Sequence, residues 1–144
     1  MAQLKDTSIT GDCSITGALL HNGANYFNDT GWIRLWESSS DPYSVILGRS
    51  RGGVAVIYGN CYGQVNLPTG KTIKICTLPD QLIPDCGNGT DIPHEVMCTS
   101  GSPRGAHSGA LQIAIDSKEK YIGIYNPGAT TTYWGFMLNY FTKL

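Results

Sequence analysis

The chain has 144 residues, a formal net charge of −1 and no basic run, so a phosphate-neutralising surface for nucleic acid is not expected. No stretch approaches the roughly 18 apolar residues that a membrane helix requires, so no membrane insertion is expected either. With 41% hydrophobic but only 15% charged residues, 18 Gly and 8 Tyr, the composition suits short strands joined by tight turns and suits helices badly.

The opening Met-Ala-Gln-Leu-Lys-Asp lacks the apolar centre of a secretory signal, which predicts synthesis in a cytoplasm. Next comes a short repeat: Ser8-Ile9-Thr10-Gly11 returns as Ser14-Ile15-Thr16-Gly17, and Gly11, Gly17 and Gly23 mark hexads. A period of six fits neither a helix nor a heptad, but it fits extended pieces separated by glycine turns. One such ribbon has little to bury and needs neighbours. Three copies wound together would place Ile9 and Ile15 near a shared axis; a frayed terminal arm is the alternative. The expected organisation is a stalk or attachment arm over residues 1–23, a polar linker over 24–30, and a head domain over 31–144.

Within the head, Trp32–Trp36, Ser44–Leu47 and Val54–Tyr58 read as strands, the last with Val54, Val56 and Tyr58 on one face and Ala55 and Ile57 on the other. Thr72–Leu78 reads as a fourth strand, with Ile73 and Ile75 opposed to Lys74 and Cys76. Pro79 to Gly109 carries four of the seven prolines and reads as a long irregular loop interrupted by a short strand near Val96–Thr99. Leu111, Ile113 and Ile115 alternate with Gln112, Ala114 and Asp116, giving a half-buried strand, and Ser117–Lys120 turns it into Tyr121–Tyr125.

The last strand, Tyr133–Thr142, has no polar face. Trp134, Phe136, Leu138 and Tyr140 fill one side, and Tyr133, Met137 and Phe141 crowd the other. A sheet wet on one side should not look like this. Either the second side is a subunit contact, made by Tyr133, Met137 and Phe141, or the strand is central and the long loop covers it. The hexads and this strand together predict a homotrimer.

No catalytic constellation emerges. Ser102 and Ser108 near His107 lack a nucleophile elbow. Cys86, His94 and Cys98 match no closed zinc spacing, and the carboxylates Asp85, Asp91 and Glu95 read as solvated loop groups rather than a glycosidase pair. The five cysteines, Cys13, Cys61, Cys76, Cys86 and Cys98, form no C-x-x-C pair and read as free, mostly buried thiols. The expectation is a non-enzymatic protein with no cofactor and no metal.

Arg51–Gly59 (R-G-G-V-A-V-I-Y-G), then Ile73–Pro79 (I-K-I-C-T-L-P) with Pro84, then Leu111–Asp116, a turn, Tyr121–Tyr125 and Tyr133-Trp134 before a final apolar strand, follow a recurring order. In that order they resemble the C-terminal head domain of bacteriophage tail-fibre and baseplate receptor-binding proteins, over about Gly31–Leu144. The resemblance implies an all-β, jelly-roll-like antiparallel β-sandwich head on a slender shaft, assembled as a homotrimer in the virion. It further implies that other virion proteins hold the N-terminal arm and that the head binds a host cell-surface glycan or receptor. The shaft here is very short, and Leu78–Gly109 is longer and richer in Cys than the pattern. A non-receptor structural virion protein (a capsid decoration or head fibre) and a trimeric lectin-like module are the alternatives.

Sugars present apolar ring faces that stack on aromatic side chains and hydroxyls that need polar partners. On that chemistry the candidate ligand-binding residues are Tyr62, Asp91, His94, Arg104, His107, Tyr125 and Asn126, with Tyr43 among the other loop residues of the right kind. The contact is expected in the Asp85–Gly109 loop, whose glycines permit close backbone approach, and in the neighbouring hairpin ends.

Overall fold

A computed structural model of the chain describes residues 10–11, 20–21, 24–25, 28–85, 92–96 and 111–142. These residues form strands and one short 3-10 turn, and none of them builds a helix long and apolar enough to cross a membrane. Two short strands, β1 (Leu20–His21) and β2 (Ala24–Asn25), pair with each other. The head then runs β3 (Ile33–Glu37), β4 (Val45–Arg51), β5 (Val54–Leu67) and β6 (Lys71–Thr77). After the 3-10 turn Asp80–Leu82 come β7 (Ile92–Val96), β8 (Leu111–Asp116), β9 (Tyr121–Asn126) and β10 (Thr131–Phe141).

The strands make two antiparallel four-stranded sheets, ordered β10-β5-β4-β3 and β6-β9-β8-β7. The second order is that of a Greek key. The chain passes from one sheet to the other twice, after β5 and after β9, so each sheet is largely wound locally and not by the repeated alternation of a jelly roll. Ile46, Ala55, Ile57, Trp134, Phe136 and Leu138 of the first sheet share one buried cluster with Cys76, Ile113, Ile115, Ile122 and Ile124 of the second. Inside it, Trp134 stacks on Phe136 at 6.0 Å between ring centroids and lies 6.5 Å from Trp36.

Local chemistry explains the turns. Gly52 and Gly53 sit at φ +56° and +77° between paired Arg51 and Val54, the two-residue loop with positive φ at both centres whose twist matches a hairpin. Asp116 caps the turn into β9 by accepting the amides of Lys118 (2.9 Å) and Glu119 (2.6 Å) through Oδ1.

Several expectations are corrected. The third strand does not stop at Tyr58 but continues to Leu67. Gly59, which reads as a breaker, lies directly across from Phe136, and a Cβ there would come within 2.6 Å of that ring. The glycine makes room for an aromatic on the neighbouring strand. In β6 a bulge between Lys74 and Cys76 sets Ile73 across from Ile124 and Cys76 across from Ile122, so Ile73 and Cys76 share the inner side. A strand occupies Ile92–Val96, with Pro93 tolerated because β7 is an edge, and Met97–Thr99 of the strand expected near Val96–Thr99 lie outside the described residues. β10 is an edge strand, not a central one. The start of the long loop is fixed: Leu82 is fully buried, its carbonyl accepts the Tyr140 hydroxyl at 2.6 Å, and Pro84 bridges to Thr142.

The end of the expected linker is likewise part of the head. Thr30 and Ser50 exchange backbone and hydroxyl bonds, Gly52 donates to the Asn28 carbonyl at 3.1 Å, and Asp29 bridges to Arg51. Residues 28–30 therefore extend the line of β3 along β4. Ile9 and Ile15 lie outside the described residues.

Candidate functional site

The topology gives the head two ends. At the entry end are Asp29, the Gly52–Gly53 turn, Pro84 and Thr142, tied together by the Thr142 amide donating to the Gly53 carbonyl at 2.8 Å. At the far end lie the Ser38–Ser44 turn, Tyr62–Leu67, the two crossovers between sheets, and the register pair Val96 and Leu111.

Asn126 holds the far end together. Its Nδ2 donates to the carbonyls of Leu67 (2.7 Å) and Ala129 (2.8 Å), its Oδ1 accepts the Gly128 amide (3.0 Å), and its own carbonyl accepts the Gly70 amide (2.7 Å). The side chain is 1% exposed. Every group it offers is used inside the fold, so Asn126 leaves the set of ligand-binding candidates and becomes the pin that joins both crossovers.

The other candidates separate. Tyr62 stands on the outer face of the first sheet, paired with Tyr133. Tyr125 stands on the outer face of the second, paired with Gln112 and Thr72. They do not share a surface. His94 occupies a register position across from Ile113 in β7. Asp91, Arg104 and His107 lie outside the described residues, as do Cys13, Cys86 and Cys98. Cys61 and Cys76 are free, buried thiols, and burial pushes the Cys76 thiol up to about 12.

The most distinctive surface is the outer face of the first sheet. Along β10 the alternation exposes Tyr133, Met137 and Phe141, the last at 75%. Their cross-strand partners on β5 are Tyr62, Tyr58 and Val54, and Tyr58 is in turn across from Leu47 of β4. Met137, Tyr58 and Leu47 thus make an apolar row across three strands, separated by Asn139, Val56 and Arg49 from Phe141, Val54 and Arg51. The Arg34–Glu37 ion pair lies on β3, and Asp29 meets Arg49 and Arg51 at the entry end. Asp29 receives Arg49 through both carboxylate oxygens and the Gly31 amide at 2.9 Å; the Arg49 bond first, then the amide, holds its carboxyl well below the usual carboxylate range. Sequence periodicity placed Val54, Val56 and Tyr58 on one side, but only the register against β10 reveals that this side joins Met137 and Phe141.

The edges reinforce the contrast. β3 carries Arg34 and Glu37, β6 carries Lys71, Lys74 and a bulge, and β7 carries Pro93, all devices that discourage pairing with another chain. The eleven residues of β10 include no charge. Of the described edges of the two four-stranded sheets, this one alone is uncharged, and it carries the exposed Met137 and Phe141. No protein-family model matches the chain, and a search of curated proteins gave no match.

Proposed function

We propose that the chain is the head of a virion fibre or receptor-binding protein of bacteriophage type, a homotrimer whose sandwich-like domain binds a host cell-surface saccharide or receptor during adsorption. The observation that carries this reading is the separation of surfaces. The chain enters at one end through Asn28–Asp29, the exposed Met137 and Phe141 lie along the side, and the Ser38–Ser44 turn and both crossovers between the sheets lie at the far end. A head needs this division: attachment through the N-terminal arm to other virion proteins at one end, subunit contact along the flank, and recognition at the opposite end. Three equivalent weak sites then act together through avidity.

The test is adsorption of the fluorescently labelled chain to a panel of bacterial strains. Saturable binding to at least one strain is expected. Binding to none would overturn the receptor role and favour a structural virion protein built on the same subunit.

A further inference from the structure

We propose that Thr72, Lys74, Gln112, Tyr121 and Tyr125 form a binding trough on the outer face of the second sheet, and that its ligand is a saccharide carrying an acidic group. The inference deepens the adsorption reading and rests on it for its biological setting. Register places every member. Thr72, Tyr125 and Gln112 are successive cross-strand partners on β6, β9 and β8, and so are Lys74, Gly123 and Ala114. Tyr121, two residues before Gly123, is across from Thr77 on β6 and Asp116 on β8. The intervening Ile113, Ile115, Ile122 and Ile124 are fully buried, so the trough residues share the side turned away from the core. That side is opposite the face carrying Met137 and Phe141, so it stays open when copies meet there.

The middle row makes the trough. Gly123 and Ala114 are the smallest of these residues, and they lie between the Tyr125–Gln112 pair and the Tyr121–Asp116 pair. A Cβ on Gly123 would come within 3.2 Å of both the Tyr121 ring and the Thr72 methyl, so the glycine lets Tyr121 lie low against the strand. Lys74 Nζ stands over that ring, 4.1 Å from its centroid, at the β6 end of the middle row. Cation–π attraction holds the ammonium there, and its remaining N–H donors face outward from an exposed residue. Tyr125, half-buried, supplies a second aromatic side chain with few torsions to freeze, and the exposed Thr72 and Gln112 flank it with a hydroxyl and an amide.

The charges around the trough select the ligand. Among the described residues neither Lys74 nor Lys71, on the same edge strand, has an ion-pair partner. The nearby carboxylates are engaged or distant. Asp116 Oδ1 accepts the Lys118 and Glu119 amides, Glu119 itself lies between Lys118 and Lys120 in the turn, and Asp80 pairs with Lys120. Glu95 holds a register position on β7, three strands from Lys74. That is about 14 Å across the ladder, beyond the roughly 8 Å over which exposed charges act at physiological salt. The β6 end of the trough is therefore positive. A sugar ring offers an apolar face to Tyr125 and hydroxyls to Thr72 and Gln112, and an acidic substituent on it meets Lys74. Lysine is a point charge with three donors, so a carboxylate and a phosphate suit it alike.

The test measures binding of the full chain to oligosaccharides bearing hexuronic acids and to others bearing sugar phosphates, by saturation-transfer NMR and titration. Each is run beside its neutral counterpart, carboxyl-reduced or dephosphorylated. The wild type should bind at least one acidic member about tenfold or more tighter than its counterpart, and the advantage should shrink as salt rises. Which of the two series binds identifies the acid. Lys74→Gln should erase the advantage, whereas Gln112→Ala and Tyr125→Leu should weaken acidic and neutral members by a similar factor. Lys74 and Gln112 are exposed, so those two variants should keep the wild-type melting temperature. Failure of every acidic member to bind, or a neutral counterpart that binds as tightly, would overturn the trough. So would an unchanged advantage in Lys74→Gln, or unchanged affinity in both Gln112→Ala and Tyr125→Leu. Cell adsorption separates the two claims. Adsorption unchanged in Lys74→Gln overturns the trough while the adsorption reading stands. Panel binding with no adsorption to any strain overturns the adsorption reading and leaves the trough.

Discussion

Asn126 donates to the carbonyl of Leu67, 59 residues away, at 2.7 Å, and this bond ties the two crossovers between the sheets to each other. The exposed Thr69 and Thr130 add a second link, the Thr69 amide donating to Thr130 Oγ1 at 3.4 Å. Asn126→Ala leaves the Leu67 and Ala129 carbonyls and the Gly128 amide without their partner. A loss of about 1–3 kcal/mol in unfolding free energy is expected, the cost of leaving the buried Leu67 carbonyl unpaired, while the exposed Ala129 carbonyl and Gly128 amide turn to water. Asn126→Asp should be no better, because it restores the acceptor for Gly128 but places a charge where two carbonyls need a donor. Denaturant unfolding checks both; a variant within 0.5 kcal/mol of wild type, roughly the spread of neutral surface changes, would contradict the pin.

Gly59 and Phe136 make a second testable pair. Because the ring covers the glycine across the ladder, Gly59→Ala should destabilise the head by about 1–3 kcal/mol through overpacking. Phe136→Leu in the same chain should recover part of that loss by vacating the space. A double-mutant cycle with no coupling would show that the ring relaxes freely.

Much of the fold is legible from periodicity. β8, its turn and β9 follow from a clean alternation and a capping Asp116, and the two faces of β10 separate as the side chains predict. What periodicity misses is set by partners distant in sequence. Gly59 reads as a stop until Phe136 is placed over it, and the β6 bulge that turns Cys76 inward has no local marker. Asn126 reads as a polar loop residue because nothing near it in sequence announces Leu67. Of the candidate site, Tyr62 was legible as an aromatic of the right kind, whereas its pairing with Tyr133 depends on register between strands.

Alkaline conditions should weaken the fold. Burial raises the Cys76 thiol to about 12, and burial followed by the nearby Cys76 raises the Tyr140 hydroxyl. The folded state therefore holds these protons more tightly than the unfolded state. Stability should be intact below the ordinary thiol pKa near ~8.5 and fall as pH rises from there towards 12. Unfolding titrations from pH 7 to 11 should show this decline, with Cys76→Ala flattening its first part and leaving the portion due to Tyr140. A wild type whose stability stays level across that range would contradict the burial of both groups.

At the acid side the sensitive group is Asp29, whose folded carboxyl is held low by Arg49 and the Gly31 amide. Its contribution is present above the ordinary carboxylate pKa near ~3.9 and is lost as pH falls below it. Asp29→Asn should reproduce the acid effect at neutral pH. Hydrogen exchange should then quicken at Gly31, Ser50 and Gly52 while the β8–β9 amides stay unchanged. Exchange rates identical to wild type would mean that the entry strand holds without its carboxylate.

The measurement that bears most directly on the central claim is the mass of the assembled chain by light scattering, made on the wild type and on Phe141→Asp. The exposed Met137 and Phe141 are assigned to contact between copies, so the wild type should give three times the 15.5 kDa chain mass at micromolar concentration. Phe141 is 75% exposed, so the aspartate should leave the subunit folded but shift the protein towards the single-chain mass. A wild type that scatters as a stable 15.5 kDa monomer, or a Phe141→Asp variant that keeps the wild-type mass, would contradict the account.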